Sequence, residues 1–310
     1  MAAIVTLTIN PALDIATSTD RVEPTHKLRC SMPRYDPGGG GINVARAVHA
    51  LGGDAVAIFP AGGAAGEMIR HLLEQQGVRH NAIAISGFTR ESLAVEERMT
   101  GRQFRFLLPG PQISESDQER CLDQLALAAA EATYIVASGS LPLGVPEDFY
   151  ARIAKLAQSL GKRFILDTSG AALKQAGRGI YLLKPSLREL GDLVGSEIRT
   201  EREQEQAARE IIEQGRSEVI VVSLGDQGAL LVTAGRAERF AAIPVEASGS
   251  VGAGDSTLAG IMVSLCRGLE LGEAVRYGMA AGAAALLGFG TELCRRSDVE
   301  RLYARQSQQQ

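Results

Sequence analysis

The stretch Val251-Gly252-Ala253-Gly254-Asp255 runs directly into an apolar segment, Ser256 to Cys266, and this junction constrains the chain more than any other. Leu258, Ile261, Met262, Leu265 and Leu269 recur three and four residues apart, as the buried face of a helix does. Asp255 therefore belongs to a helix start. The two glycines before it permit a tight turn whose successive N–H groups point outward and add to the positive end of the helix dipole, which makes an anion site. A carboxylate beside such a site repels the ligand, so anion binding alone does not account for it. It is accounted for if the carboxylate takes a proton from a hydroxyl attacking a phosphoryl group that the N–H groups hold. A plainer reading, a glycine turn followed by a first-turn Asp, fits the same residues.

A second junction of this kind is Pro37-Gly38-Gly39-Gly40-Gly41-Ile42-Asn43-Val44-Ala45-Arg46, which opens a helix running to about Leu51. Each glycine costs about 0.5–1 kcal/mol relative to alanine in regular structure. No pattern of packing in the sequence offsets that, whereas a ligand pressed against bare backbone would; a flexible loop is the alternative. Asn43 offers donors and an acceptor and suits a sugar hydroxyl. The dinucleotide pattern G-x-G-x-x-G fails because Asn43 stands where its last glycine would be, which disfavours a nicotinamide-dependent oxidoreductase. Gly161-Lys162 is followed by Arg163, so the P-loop pattern fails as well.

Around these junctions strand-like and helix-like stretches alternate, the order of a mostly parallel sheet flanked by helices. Strands are expected at Ile4–Ile9, Ala55–Pro60, Tyr134–Ser138, Phe164–Asp167, Tyr181–Leu183 and Glu218–Ser223. Helices are expected at Gly66–Gln76, Ser114–Glu131, Glu147–Leu160, Thr200–Gln214 and Glu273–Leu287, with another beginning at Glu189. Asp14 and Glu189 fall just past strand ends, where ligands bind in open α/β sheets. Glu189 there would hold Mg²⁺ through water, or would simply be a first-turn carboxylate favoured by the dipole; Asp14 is equally compatible with a turn. Ser92–Glu97 and Gln103–Leu108 form a hairpin which, with residues 22–35, makes a small sheet outside the main one. Lys27, Arg29 and Arg90 all fall in that excursion, and three cations meeting there would bind a phosphate, although each alone is as readily a solvated charge. The Ala and Gly residues of 273–287 admit close approach of another helix or of a flat ring, and the tail Gln306 to Gln310 reads as disordered.

A chain of 310 residues with a net charge of −4 and no long block of one sign has no obvious nucleic-acid or membrane surface. Cys30, Cys121, Cys266 and Cys294 are far apart and form no C-x-x-C pair, so a reduced, cytoplasmic protein without structural zinc is expected. The N-terminal residues lack a basic leader and go straight into strand-like alternation, so no signal peptide is expected.

Gly38-Gly39-Gly40-Gly41-Ile42-Asn43-Val44-Ala45-Arg46 and Val251-Gly252-Ala253-Gly254-Asp255-Ser256 resemble the two signature regions of the ribokinase-like (PfkB) sugar kinases. Supporting stretches are Leu7 to Asp14, His26 to Cys30, Thr89-Arg90, Ser138 to Pro142 and Val222 to Ala229, in family order along nearly the whole chain. The resemblance implies one α/β kinase domain with a β lid formed by about residues 15–36 and 88–108, through which two subunits pair as a homodimer. It implies that Asp255 is the general base and that the amides of Gly252, Ala253 and Gly254 form the anion hole. Asp14, Gly39, Gly40 and Asn43 would hold the sugar, with Lys27, Arg29, Arg90 and Ser138 toward its phosphate. ATP would lie over Lys184, Ser186 and the turn Ser223, Leu224, Gly225, Asp226, Gln227 and Gly228, with Met279 and Ala283 near the adenine. Glu189 would serve Mg²⁺, and Val251, Ala285, Gly288 and Gly290 would supply carbonyls for K⁺.

Three positions depart from the family's habit. Ser186 replaces the Asn of the usual N-x-x-E, Glu292 stands where a basic residue is usual, and Gly40-Gly41 stands where fructose-1-phosphate and tagatose-6-phosphate kinases tend to have Lys-Gly. The last favours phosphorylation of fructose 6-phosphate at O1. The alternatives are another phosphorylated ketose or a nucleotide-binding regulator without turnover, against which the intact Asp255 and both glycine stretches speak.

Overall fold

A computed structural model describes residues 3–246, 252–288 and 290–307. The chain enters through β1 (Ile4–Leu7), leaves the main body in β2 (Ala12–Thr19) and β3 (Arg34–Gly38), and returns as α1 (Gly40–Ala50), β4 (Ala55–Ala61), α2 (Gly63–Gln75) and β5 (Arg79–Ala84). The hairpin β6 (Arg90–Glu97) and β7 (Arg102–Leu107) follows, then α3 (Glu115–Ala129), β8 (Tyr134–Ser138), α4 (Phe149–Ser159), β9 (Arg163–Asp167), α5 (Gly170–Lys174) and β10 (Ile180–Leu183). After α6 (Leu187–Val194) and α7 (Glu201–Glu213) come β11 (Ser217–Ser223), β12 (Ala229–Thr233) and β13 (Ala237–Phe240). Three helices, α8 (Ala253–Cys266), α9 (Leu271–Ala285) and α10 (Arg296–Ser307), complete the described chain.

Nine strands form one sheet in the order β13-β12-β11-β10-β9-β8-β1-β4-β5. Its pairings are parallel except where β12 and β13 turn back at one edge. Successive side chains alternate between faces. Ile4, Ala57, Val136 and Val221 pack under α1, α2, α8, α9 and α10, while Val5, Ile58, Ile135 and Val222 pack under α3 to α7. From β1 the chain winds outward through β4 to β5, then returns to β8 on the other side of β1. The order therefore reverses between β1 and β8, and the crevice past their C-terminal ends is where such sheets hold ligands.

The second sheet has the order β3-β2-β6-β7. Register places Asp14 beside Ser92 and Ser92 beside Leu107, with Ala12 beside Arg90. Because alternate residues share a face, Ala12, Asp14, Arg90, Ser92, Arg105 and Leu107 all point to one side.

Two glycines of α9 serve helix packing rather than a ring. A Cβ built on Gly278 would lie 2.5 Å from Ile261 Cγ1 and 2.7 Å from the Thr257 carbonyl of α8, and one on Gly282 would collide with the Thr257 hydroxyl. Gly278→Val should therefore destabilise the protein by about 1–3 kcal/mol, as overpacking does. The check is the denaturant midpoint at unchanged slope; an unshifted midpoint would show that the helices can separate freely.

Several elements depart from expectation. Strand β2 begins one residue after Pro11, which ended the expected first strand, because the chain there crosses from one sheet to the other. The polar edge strand β5 and the antiparallel β12 and β13 were not anticipated, and neither were α5 and α10. Gln306 and Ser307 belong to α10 rather than to a disordered tail, since Val299 and Leu302, three residues apart, anchor one face of that helix in the core.

Candidate active site

The N-terminus of α1 is inserted at the switch point. Thr8 Oγ1 accepts a hydrogen bond of 2.7 Å from the Ile42 N–H. A Cβ on Gly41 would come within 2.6 Å of the Leu7 carbonyl and of Thr8 Oγ1, and one on Gly40 would overlap Ser138 Oγ. Gly39 takes a φ of 104°, and a Cβ on Gly38 would overlap the Asp14 carboxylate. The expectation that no packing offsets the glycine run is thus corrected: protein atoms already crowd all four positions. Gly39 and Gly40 nevertheless also line a cavity of about 270 Å³.

That cavity joins the two sheets. Its walls are Asp14, Arg90, Ser92, Arg105 and Leu107 from the small sheet, Gly39, Gly40 and Asn43 from α1, Ser140 after β8, and Gly252 and Asp255 at the start of α8. Gly252 has a φ of 77° and no side chain caps α8, so the amides of its first turn are left for a ligand. The glycine is also required sterically, since a Cβ there would lie 2.5 Å from Leu293 Cδ2. Ser138 is buried beneath Gly40 rather than in the wall, and Ser140 takes the exposed position.

Asp255 Oδ2 accepts a 3.0 Å hydrogen bond from Asn43 Nδ2. Burial raises its pKa to about 6, helped by Asp167 and opposed by Asn43 and Lys184. Asp14 is likewise raised to about 6 by burial, against the pull of Arg46 and Arg90. A base and an acceptor of hydroxyl hydrogen bonds are both needed ionised, so if these two carboxylates fill those roles activity should be present above pH 6 and lost as pH falls through it. With two such groups, kcat/KM should drop more than about tenfold per pH unit on the acid side, and Asp14→Asn should restore a limb of about tenfold per unit. An acid limb in the wild type no steeper than one proton would remove one of the pair. The same sign means these groups reduce folding stability as pH rises from the ordinary aspartate value of 3.8 toward 6.

Arg90 is half-buried, and its Nη atoms reach the carbonyls of Leu108 and Asn10 at 3.4 and 3.3 Å. Its Nε is buried without a hydrogen-bond partner, a donor waiting for an acceptor. Lys27 and Arg29 lie in the exposed connection between β2 and β3 and are not among the residues lining this cavity, so the isolated chain does not bring them to Arg90.

Beyond Asp255, Lys184 is buried and its Nζ pairs with Asp167 Oδ2 at 2.9 Å. Burial would lower its pKa, but Asp167, Asp255 and Glu189 together raise it. Ser186, after β10, bridges to Ser223, the last residue of β11, and Ser223 N–H donates to the Pro185 carbonyl at 2.9 Å. Leu224 is buried, and Gly225, Asp226 and Gln227 make an exposed 3₁₀ turn closed by Gly228 at a φ of 98°. Met279 and Ala283 lie one turn apart on α9.

Glu189 Oε2 accepts from the N–H and the hydroxyl of Ser186, each at 2.8 Å, closing a capping box on α6. The serine thus does structural work at the departure from N-x-x-E. Among the described residues no cluster of three or more His, Cys, Asp or Glu could hold a metal alone. A Mg²⁺ at Glu189 would take its other ligands from phosphate and water, which is its habit. Of the suggested K⁺ ligands, Val251 lies outside the described residues. The Ala285 carbonyl accepts from Gly288 N–H at 3.2 Å, and Gly290 has a φ of 65°. Glu292 is paired with Arg34 and, at 3.0 Å, with Arg295, so its charge is neutralised at home.

Asp167, Ser92, Arg105, Leu107 and Ser140 escaped the sequence reading. Asp167 closes β9 at its C-terminal end, whereas Asp14, expected just past a strand end, lies inside β2 because a new strand begins directly after Pro11. Arg105 and Leu107 share a face of the second hairpin strand, a period-two signal that was present.

A carboxylate beside the open amides of a glycine-started helix, under two arginines at the switch point of a parallel sheet, defines a phosphoryl-transfer enzyme acting on a small anionic alcohol. The chain belongs to the pfkB family of carbohydrate kinases, whose pattern matches residues 7–298. It is 55% identical, over 97% of its own length and 88% of the relative's, to the ATP-dependent 6-phosphofructokinase isozyme 2 of Mycobacterium tuberculosis. Solved structures of phosphofructokinase-2 from Escherichia coli match over 99% of this chain and 100% of theirs. The complex with potassium gives a TM-score of 0.94 at 42% identity, the complex with fructose-6-phosphate 0.92 at 41%, and a tetrameric inhibited form 0.93 at 41%.

Proposed function

We propose that this kinase transfers the terminal phosphoryl group of ATP to O1 of fructose 6-phosphate. The observation that carries the reading is a shared cavity lined by Asp255, by Gly252 at the open start of α8, and by Arg90 and Arg105. A ketose phosphate fits this order of groups. Asp14 and Asn43 accept and donate to its hydroxyls, and the arginines take its phosphate. Asp255 takes the proton from O1 as it attacks, and the amides of Gly252, Ala253 and Gly254 hold the oxygens of the group in transit. Lys184, Ser186 and the turn from Ser223 to Gly228 hold the nucleotide, with Met279 and Ala283 toward its base. Mg²⁺ at Glu189 would neutralise charge on the phosphates. Ala285, Gly288 and Gly290, with Val251, would offer backbone carbonyls to K⁺ in this reading.

A coupled assay of ADP release tests it with free and phosphorylated sugars. Fructose 6-phosphate should give the highest kcat/KM of the panel; turnover confined to another sugar would end the assignment.

We assign the small sheet as a lid that pairs two copies of the cytoplasmic chain. Tyr35, Ile15, Leu93 and Phe106 form one row across all four strands on the face turned from the cavity. Tyr35 is 41% and Phe106 51% exposed, and Met32 nearby is 90% exposed. Exposed apolar surface of this kind marks an interface. Lys27 and Arg29 enter the reading as cations carried on this lid toward the sugar phosphate. Phe106→Asp should shift sedimentation from a dimer to a monomer; an unchanged mass would place the interface elsewhere.

A further inference from the structure

We propose that Arg46 is a positioning residue: its guanidinium fixes which way the Asn43 amide faces and, through it, how the Asp255 carboxylate is held. The proposal rests on Asp255 being the base and goes beyond that reading to a residue that touches no substrate.

Arg46 lies on α1 one turn after Asn43 and is 8% exposed. Four of its five N–H donors have partners. Nη2 donates to Asp36 Oδ1 at 2.8 Å, Nε to Gln76 Oε1 at 2.8 Å, and Nη1 to the Pro37 carbonyl at 2.7 Å and to Asn43 Oδ1 at 3.3 Å. Neutralising Asp36 explains only the first of these, and Asp36 is already held by Arg34 and by the Thr291 hydroxyl at 2.6 Å. The bond to Asn43 points instead toward the active site. A guanidinium has donors and no acceptor, so the amide oxygen must face it. The NH₂ group is then left facing Asp255, where it donates at 3.0 Å. Turned the other way, the amide would set its oxygen against a carboxylate and the base would lose its donor.

The groups facing Asp255 are Asp14, Asp167 and Lys184 besides Asn43, and those facing Arg46 are Asp36, Asp14 and Arg34. Of the first set, Asn43 and Lys184 favour the ionised base, and the two aspartates oppose it. Freeing the amide therefore removes one of two supports, and Asp255 stays protonated to higher pH.

The test is kcat against pH at saturating substrates for Arg46→Lys and Arg46→Met, each made in the wild type and in Asn43→Ala. Arg46→Lys keeps a cation against Asp36, but one ammonium cannot serve Asp36, Pro37 and Asn43 together. It carries the test should Arg46→Met fail to fold. In the wild-type background kcat should fall roughly ten- to a hundredfold, the scale of misplacing a reacting group by about 1 Å, and the acid limb should move to higher pH. In Asn43→Ala the same substitutions should change kcat and the limb little further, because the residue they act through is gone. Losses that multiply in the double variants, or an unmoved limb in a folded single variant, would overturn the proposal. Retained activity in Asp255→Asn would be a different failure, that of the base itself.

Discussion

Asp255→Asn should lower kcat by roughly 10²–10⁴-fold, the range for a lost general base, while binding of the sugar phosphate and ATP stays within a few-fold of wild type. The geometry makes the separation of binding from turnover sharp. Asp255 accepts a hydrogen bond from Asn43 and sits in a first turn whose amides do not depend on its charge. An amide of the same shape keeps the turn and the contact to the substrate hydroxyl but cannot take its proton. Binding by calorimetry alongside single-turnover kinetics checks both halves, and a variant turning over at more than a tenth of the wild-type rate would remove Asp255 from the chemistry.

Arg90→Ala should raise KM for the sugar phosphate roughly ten- to a hundredfold with kcat little changed. A hydrogen bond to a charged group is worth about 1.5–3 kcal/mol, and Arg90 meets its present partners only at 3.3 and 3.4 Å with Nε unpaired. Those long contacts hold the side chain in place without consuming its charge. KM for ATP should be unaffected, because the residues proposed to hold the nucleotide, Lys184, Ser186 and the turn from Ser223 to Gly228, do not line the cavity beside Arg90. Steady-state kinetics with each substrate varied in turn separates the cases; an unchanged sugar KM would mean that Arg105 carries the phosphate alone.

Much of this was legible in the chain itself because glycine and aspartate announce themselves at helix starts. The junction at Gly252 to Asp255 and the helix opening at Gly40 both form as read, and Asp14, Asn43 and Arg90 meet across a cavity although 76 residues separate the first and last of them in the numbering. Residues chosen by tertiary contact were less legible. Arg105 sits in the exposed, charged strand Arg102–Leu107, where alternation puts it on one face with Leu107 but does not say which face meets the cavity; pairing with β6 decides that. The glycine run was read as backbone bared for a ligand. Its crowding by Asp14, Thr8, Leu7 and Ser138 depends on segments far apart along the chain, and short-range pattern carries no trace of that. Strand β2 was hidden by Pro11, a stop signal that here marks a change of sheet.

The division of labour within the cavity bears on how its selectivity could be retuned. The floor at Gly39 and Gly40 is crowded by Thr8, Pro11 and Ser138, and Gly252 at the start of α8 is crowded by Leu293, so none of the three takes a side chain without displacing a neighbour. The ceiling is different: Ser92, Arg105 and Leu107 hang from two hairpin strands whose backbone pairing does not depend on what those side chains are. A library directed at these three positions explores new acceptor sugars while leaving the phosphoryl-transfer apparatus untouched, so diversification of such enzymes is a matter of re-dressing a hairpin rather than rebuilding a catalyst.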